Sequence, residues 1–333
     1  MVYKTMKKRW LCAFMALLMT AGALCGCVTA MTEDESEIIN LGELLDEAIP
    51  LSGSPAISYV IVPVASGTVT EKNTSAVIDY SNTKDGYIMI KWTGGSTSSK
   101  LKVQVKGPGK ETYTYNLRSD GQYETFPLSD GNGNYAFTVL KQKEGSSYAK
   151  VLAASANVQL TDEFAPFIRP NQYVNFTEDS AAVAMAADLI SEAGVTDNLS
   201  KVGVIYEWVV THLTYDTAKA DQAKSGSLAG YLPDVDAVMD AKKGICFDYA
   251  ALMAAMLRSQ NVPIKLVVGY TGKQYHAWVN VWSETEGWVE GMIYFNGEIW
   301  NLMDPTFASS GKQSASIMKY IGNGSNYQEK YLY

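Results

Sequence analysis

The chain has 333 residues, of which 47% are hydrophobic and 19% are charged, and its formal net charge at neutral pH is −8. This composition excludes an intrinsically disordered chain, and the length is sufficient for two domains with well-buried cores. The acidic balance argues against nucleic acid as a partner, because phosphate binding requires a basic face.

The N-terminal segment has the pattern of an export signal. A basic stretch that includes Lys7, Lys8 and Arg9 precedes a short apolar run over residues 10–24. The run ends in Leu24-Cys25-Gly26-Cys27, which resembles the lipobox of bacterial lipoproteins. That resemblance implies removal of residues 1–26 and acylation of Cys27, which would anchor the protein to the outer side of the cell membrane as a lipoprotein. The alternative is an ordinary signal peptide that is cut near Ala30.

Residues 27–55 are acidic and predict an extended tether. From residue 56 to residue 160 the sequence alternates in short runs that are separated by turn residues. These runs predict strands at 58–62, 75–80, 87–92, 101–105, 112–115, 133–139 and 149–153. We therefore expect an antiparallel β-sandwich of immunoglobulin or fibronectin type. Its tyrosines and lysines could form a face for carbohydrate or peptide, but such alternation is the ordinary signature of a half-solvated sheet.

The second half of the chain predicts a linker over residues 161–177 and an α+β domain over residues 178–333. Apolar periodicity indicates helices at 180–193, 198–213, 234–241 and 246–260, with Asn198 as the cap of the second. Residues 217–233 have no clear period and predict a loop that covers or shapes a cleft. Strands are expected at 264–270, 276–282, 287–294 and 298–303. Helices followed by an antiparallel sheet predict a helix that starts with Cys246 and packs on that sheet.

Cys246 is the residue that points to chemistry. Of the four cysteines, Cys12 and Cys25 lie in the segment expected to be removed and Cys27 is expected to be acylated, so Cys246 remains as the thiol. It follows a glycine turn at the start of the predicted helix, where unpaired N–H groups and the helix dipole favour a thiolate. The alternative is a buried, inert cysteine.

A base and an orienting group follow Cys246 in chain order. His276 lies in the alternating stretch 276–282, and Asp304 closes the last predicted strand. A nucleophile, a base and a group that orients the base are the parts of a catalytic triad. Trp278 and Asp248 are candidates for lining the substrate cleft, and Asp248 could instead pair with Lys242 or Lys243 or complement the helix start.

No metal or cofactor is predicted. His212 lies in a helical stretch without metal-ligand spacing and is interpreted as a structural or surface residue, and no calcium-binding loop is recognisable.

Five segments of residues 201–307 resemble, in order, the motifs of the transglutaminase-like superfamily. They are Ile205-Tyr206-Glu207-Trp208-Val209-Val210 with Tyr215-Asp216, Gly244-Ile245-Cys246-Phe247-Asp248-Tyr249-Ala250, Val262-Pro263-Ile264 with Gly269-Tyr270, His276-Ala277-Trp278-Val279, and Trp300-Asn301-Leu302-Met303-Asp304-Pro305-Thr306. The resemblance implies a papain-like fold with Cys246 as nucleophile, His276 as base and Asp304 as the residue that orients the imidazole.

The oxyanion of such a reaction needs two donors. The backbone N–H of Cys246 is one. Tyr215 is the first candidate for the second donor, and Trp208 and Gln172 are weaker candidates. Tyr215 could equally be a core aromatic that closes the preceding helix.

The expected activity is acyl transfer from an amide. With water as the acceptor the protein would be a cysteine peptidase or amidase, and with a lysine amine it would be a cross-linking transglutaminase. Hydrolysis is favoured because no calcium loop or amine site is recognisable in the sequence. The expected location implies an extracellular protein or a cell-wall peptide as the substrate. A non-catalytic adhesion or scaffold protein is the remaining alternative, although such a protein would have no need of a complete Cys, His and Asp set.

Overall fold

The computed structural model describes residues 57–285, 287–289 and 327–333, and the backbone strands 293–295 and 300–302. The predicted signal segment 1–26, the acylation site Cys27, the tether 27–55 and the orienting residue Asp304 lie outside the described residues. None of the helices in the described part of the chain has the length and apolar character that crossing a membrane requires.

The first half of the described chain forms two four-stranded antiparallel sheets. One sheet has the order β1-β2-β3-β6 and the other has the order β5-β4-β7-β8. The strands are β1 (Thr70–Lys72), β2 (Ala76–Asp79), β3 (Tyr87–Trp92), β4 (Leu101–Lys106), β5 (Tyr113–Leu117), β6 (Glu124–Pro127), β7 (Gly133–Glu144) and β8 (Ser147–Val158). Alternate residues of β4, namely Leu101, Val103 and Val105, are buried in the core with Ile88 and Ile90 of β3. This alternation produces the predicted sandwich, because the inward side chains of both sheets share one core.

The sequence prediction differs from the structure at three strands of this region. Residues 58–62 are apolar enough for a strand but are not in one, and Tyr59 instead donates its N–H to Ser259 O at 2.7 Å. The short strands β1 and β6 were not predicted. β1 is largely exposed, so its sequence carries no apolar alternation.

The second half contains five helices within the described residues: α1 (Ala181–Ala193), α2 (Asn198–His212), α3 (Thr217–Lys224), α4 (Val235–Ala241) and α5 (Cys246–Arg258). Every residue of α5 from Asp248 to Arg258 is buried. This helix packs against α1, α2 and α4 and against two strands of the sheet described below. The small side chains of Ala250, Ala251, Ala254 and Ala255 allow this close packing on several sides.

Two details of the helices correct the sequence prediction. Residues 217–224 are helical, although residues 217–233 were expected to form a loop. The apolar residues of α3 are three alanines, which give no strong apolar period in the sequence. The helix begins after Asp216, which accepts a hydrogen bond from Lys219 N at 2.9 Å. The cap of α2 is Asp197 rather than Asn198, since Asp197 accepts from Ser200 N at 2.9 Å.

An antiparallel sheet with the order β13-β12-β11-β16 follows α5. Its strands are β11 (Ile264–Thr271), β12 (Gln274–Ser283), β13 (Gly287–Val289) and β16 (Tyr327–Leu332). β16 was not predicted, and the single strand expected at 287–294 is divided between β13 and β14 (Ile293–Phe295), which pairs with β15 (Trp300–Leu302). A short parallel pair joins β9 (Thr214–Tyr215) to β10 (Lys243–Gly244). The predicted α+β architecture, with a cysteine helix on an antiparallel sheet after a sandwich, is confirmed.

The segment predicted as a linker contacts both halves through its aromatic side chains. Phe164 lies 4.6 Å from Trp282 between ring centroids, and Tyr173 stacks on Tyr333 at 4.0 Å while contacting Tyr115 of the sandwich at 5.6 Å. The sandwich and the helix-and-sheet region belong to one compact unit. The exact domain boundaries drawn from the sequence stay predictions.

Candidate active site

Cys246 is the first residue of α5, which is the position that the glycine turn predicted. The preceding residue, Ile245, has extended backbone angles and caps the helix, and Cys246 is half-buried. The N–H groups of the first turn of a helix have no acceptor within the helix, and the positive end of the dipole lies there. The thiol therefore stands beside groups that stabilise negative charge on sulfur or on an oxyanion.

The approach to Cys246 is held by the parallel pair of β9 and β10. Gly244 is the register partner of Tyr215, and Asp216 N donates to Gly244 O at 2.8 Å. The pair places Tyr215, the oxyanion candidate, beside the turn that carries the cysteine. Tyr215 is half-buried, and its role as an oxyanion donor stays a prediction.

Asp248 does not line a cleft, contrary to the sequence prediction. Its side chain is fully buried, and its Oδ2 accepts from Ile245 N at 2.8 Å and lies 2.7 Å from Lys219 Nζ, while Oδ1 accepts from Tyr231 OH at 2.5 Å. The expected partners, Lys242 and Lys243, are not used. Asp248 therefore complements the helix start, which was one of the roles considered for it.

Sequence reasoning missed Lys219 and Tyr231, because both lie in the stretch without apolar periodicity. Burial, the hydrogen bond to Asp248 and the charge of Asp248 raise the pKa of the Tyr231 phenol well above its ordinary value, so Tyr231 stays protonated and donates. Asp216 pairs with Lys243 at 3.4 Å. The hydrogen bond from Lys219 N, followed by the contact with Lys243, lowers the pKa of Asp216.

His276 lies on β12, directly across from Gly269 of β11, and is 6% exposed. β12 is one of the strands on which α5 packs. Within the described residues, no hydrogen bond joins the Cys246 thiol to the His276 ring. His276 makes a ring contact with Trp278 and at least one further interaction. The structure thus places the predicted nucleophile and base on two elements in contact, while Asp304 lies outside the described residues.

Trp278 is a core residue rather than a cleft residue, which corrects the second cleft prediction. It is 1% exposed, and its ring packs edge-on against Tyr327 with centroids 5.1 Å apart. The ring also lies over the backbone of Gly269, where a β-carbon would be 2.8 Å from Trp278. Trp278 is two positions after His276 on β12, so the two side chains lie on the same face of the sheet. Trp278 therefore packs beside His276, over the neighbouring strand β11.

Two exposed tyrosines next to His276 were also missed. Tyr270 and Tyr275 are paired across the hairpin of β11 and β12 with ring centroids 5.4 Å apart, and they are 37% and 56% exposed. Partial burial raises the pKa of Tyr275 to about 12, with smaller contributions from Tyr173 and Tyr331. Tyr173 in turn contacts Phe247, the residue after Cys246, at 5.5 Å. Aromatic side chains therefore extend from the histidine strand to the cysteine helix.

The remaining candidates have structural contacts. Gln172 donates from Nε2 to Asn116 O and to Glu124 Oε1, so its amide donors are engaged by the sandwich. Trp208 is 9% exposed and stacks on His212 at 4.7 Å, which agrees with the structural interpretation of His212. The described residues contain no group of three side chains that could hold a metal ion.

Comparisons with known proteins agree with the resemblance seen in the motifs. The profile of the transglutaminase-like superfamily matches residues 185–291, a range that includes Cys246 and His276 and ends before Asp304. A protein-glutamine gamma-glutamyltransferase of Pseudomonas aeruginosa is 32% identical over a 68-residue alignment that covers 16% of this chain. The alignment spans only 10% of that protein.

Two solved structures show low overall similarity. A protein from Cytophaga hutchinsonii that is described as a candidate cysteine protease is 16% identical with a TM-score of 0.32, over 61% of this chain and 77% of its own. Red sea bream transglutaminase is 13% identical with a TM-score of 0.24, over 67% of this chain and 53% of its own. The profile match places a transglutaminase-like domain at residues 185–291, and this superfamily includes cysteine proteases and protein-glutamine transglutaminases.

Proposed function

We propose that this protein is a thiol acyl-transfer enzyme in which Cys246 is the nucleophile. The observation that carries the proposal is the position of Cys246 at the first residue of α5, inside a transglutaminase-like domain and on a helix that packs against the strand of His276. A half-buried thiol at a helix start is accessible to a substrate and lies beside N–H groups that stabilise negative charge.

The reaction follows from these groups. The Cys246 thiolate attacks the carbonyl carbon of an amide, and the oxyanion that forms is held by the Cys246 N–H and a second donor, for which Tyr215 is the candidate. The C–N bond then breaks while the His276 imidazolium gives its proton to the leaving amine, and a thioester remains. Water attacks the thioester, His276 takes the proton, and a carboxylic acid leaves with regeneration of the thiolate. Asp304 is proposed to orient the imidazole throughout.

Hydrolysis is the proposed outcome, because neither the sequence nor the described residues show a calcium loop or a dedicated amine site. Transfer to a lysine amine is the second candidate, and it is favoured by the similarity to the gamma-glutamyltransferase of Pseudomonas aeruginosa. The two reactions share every step up to the thioester and differ only in the acceptor.

The proposed substrate is an extracellular protein or a cell-wall peptide, and the protein is proposed to be a lipoprotein anchored to the outer side of the cell membrane through Cys27. Growth of the producing cells with a labelled fatty acid tests the anchor. The wild type should carry the label, and Cys27→Ala should not. A wild type that carries no label would overturn the anchor without bearing on the chemistry of Cys246.

The activity is tested by mass spectrometry of a peptide library that is incubated with the purified protein, with and without an added primary amine. Products that gain water indicate hydrolysis, and products that gain the amine indicate transfer. Cys246→Ala and His276→Ala should each abolish both products. His212→Ala is the matched control, because His212 is the other histidine of the chain and packs on Trp208.

The non-catalytic alternative makes the opposite prediction. If Cys246 reacts with iodoacetamide no faster than a peptide thiol, and if Cys246→Ala leaves every product unchanged, the proposed enzyme activity is wrong and a non-catalytic protein that retains the fold is favoured instead.

A further inference from the structure

We propose that Lys219 and Tyr231 are positioning residues that act through Asp248 on the turn carrying Cys246. This inference rests on the proposed function, because it assigns the residues that hold the nucleophile in place. Neither residue was recognised in the sequence, and both lie in the stretch between β9 and α4.

The three side chains form a closed network. Lys219 Nζ lies 2.7 Å from Asp248 Oδ2 and 2.5 Å from Tyr231 OH, and Tyr231 OH donates to Asp248 Oδ1 at 2.5 Å. The ammonium also lies 4.1 Å from the centroid of the Tyr231 ring. Each polar group therefore has two partners within the network, and the carboxylate of Asp248 has no exposed surface.

The network reaches the nucleophile through the backbone. Asp248 Oδ2 also accepts the N–H of Ile245, the cap residue immediately before Cys246, at 2.8 Å. The position of Ile245 determines where the N–H and the thiol of the next residue point. A shift of Asp248 would move the cap and would change the direction of the oxyanion donor, and small displacements of this kind are costly in catalysis.

The network also holds the segment that precedes it. Lys219 lies in α3 and Tyr231 lies beyond its end, so two points of the chain between 217 and 233 are tied to one carboxylate of α5. The pair of Asp216 with Lys243 joins the same two stretches at a second place. Tyr231 further contacts Phe247 edge-on at 6.4 Å. The stretch expected from the sequence to cover or shape the cleft is therefore attached to the turn that carries the cysteine.

Burial of an ion pair is not in itself a reason for high stability, because desolvation offsets much of the attraction. Such a pair is better suited to specifying one conformation, since its geometry must be correct to offset the cost. At this place the conformation specified is that of the helix start and its thiol.

The test measures alkylation of Cys246 by iodoacetamide as a function of pH, with modification of the Cys246 peptide quantified by mass spectrometry in the full-length protein. The variants are Lys219→Met and Tyr231→Phe, and Asp216 and Lys243 remain in both. A loosened helix start should slow alkylation of Cys246 at neutral pH by about tenfold, because the N–H groups that stabilise negative charge at the helix start would no longer be held against the sulfur. Lys219→Arg should retain most of the wild-type rate.

Lys201→Met is the matched control. Lys201 Nζ donates to Gln260 O at 3.2 Å, just beyond the opposite end of α5, so this variant removes a lysine that is bound near the same helix but away from Cys246. It should lose thermal stability without a change in the pH profile. A purely structural network would give the same result for Lys219→Met and Tyr231→Phe, with lower midpoints of unfolding and an unchanged profile, and that result would overturn the positioning role.

Failure of the proposed function has a separate signature. If wild-type Cys246 is alkylated no faster than a peptide thiol at every pH, Cys246 is not an activated nucleophile, and the proposed function and the positioning role are both wrong. A reactive wild type with unaffected variants overturns the positioning role alone.

Discussion

The backbone of Gly244 lies directly against the side chain of Asp248, so that a β-carbon on Gly244 would be 2.6 Å from Asp248 Cβ and 3.0 Å from Oδ2. A separation of 2.6 Å between two carbon atoms is shorter than any ordinary contact. The turn that leads to Cys246 therefore lies close to the buried carboxylate of Asp248. Glycine is therefore required at position 244 by close approach.

Gly244→Ala should lower stability by about 1–3 kcal/mol, because the added methyl group overpacks a buried site. It should also slow alkylation of Cys246, since the turn must shift. Gly203→Ala is the control, because a β-carbon on this residue of α2 meets nothing within 4 Å. That variant should gain up to about 1 kcal/mol from helix propensity. Urea denaturation measures both, and equal stabilities of the two variants would contradict the close contact.

Arg258 is fully buried near the end of α5, and its guanidinium donates to Arg169 O at 2.7 Å, Ile264 O at 2.9 Å and Tyr333 O at 2.6 Å. Burial lowers its pKa to about 9, so the side chain is charged at neutral pH. Arg258→Met should cost about 3 kcal/mol of stability, because buried carbonyl groups lose their donors.

Arg118→Met provides the comparison for this prediction. The Arg118 side chain is 59% exposed and forms ion pairs with Asp120 and Glu124. Asp120 is exposed, and Glu124, although its side chain is 6% exposed, keeps the hydrogen bonds from Arg118 N and Gln172 Nε2, so the variant should lose about 1 kcal/mol or less in denaturant unfolding. A loss for Arg258→Met no larger than for Arg118→Met would refute the assigned role.

Asp197 should stabilise the protein in a pH-dependent manner, because the hydrogen bonds from Ser200 lower its pKa in the folded state. A lowered folded pKa means that the stabilisation is present above the unfolded pKa of about 3.9 and is lost as the pH falls through the folded value. Asp197→Ala should cost about 1 kcal/mol at pH 7 and progressively less below pH 4. The difference in unfolding free energy across this range is the measurement.

Asn198→Ala distinguishes the observed cap from the one that the sequence predicted. Since Asp197 is the residue whose side chain accepts from Ser200 N, removal of the Asn198 side chain should have little effect at any pH. A larger loss for Asn198→Ala than for Asp197→Ala would restore the original prediction.

Tyr275 should contribute to substrate binding, because its ring is 56% exposed and Tyr173, one of the groups that raise its pKa, contacts Phe247, the residue after Cys246. Tyr275→Ala should raise KM severalfold and leave kcat nearly unchanged, as expected when binding shared by the ground and transition states is lost. Tyr59→Ala is the control, since Tyr59 is 47% exposed but contacts the chain at Ser259, beyond the other end of α5. Equal kinetic effects of the two substitutions would argue against a substrate contact at Tyr275.

Apolar periodicity in the sequence predicted most of the helices and strands. It failed for elements whose formation depends on contacts with distant parts of the chain. The alternation in β4 and the apolar helices α1 and α2 were recognised because one face of each is buried. Helix α3 was missed since alanine is its only apolar residue type, and β16 was missed since it pairs with β11 from far along the chain. Residues 58–62 have the composition of a strand, but among the residues that the structure describes they pair with no other strand.

The sequence by itself determined the order of Cys246, His276 and Asp304 and the position of the cysteine at a helix start, because a glycine turn before an apolar period is a local signal. Only the tertiary structure decided what surrounds that helix start. It buried Asp248 and Trp278, which were expected in a cleft, and it brought Lys219 and Tyr231 to Asp248. Such contacts depend on where distant segments meet, and hydrogen-bond partners of this kind leave no period in the sequence.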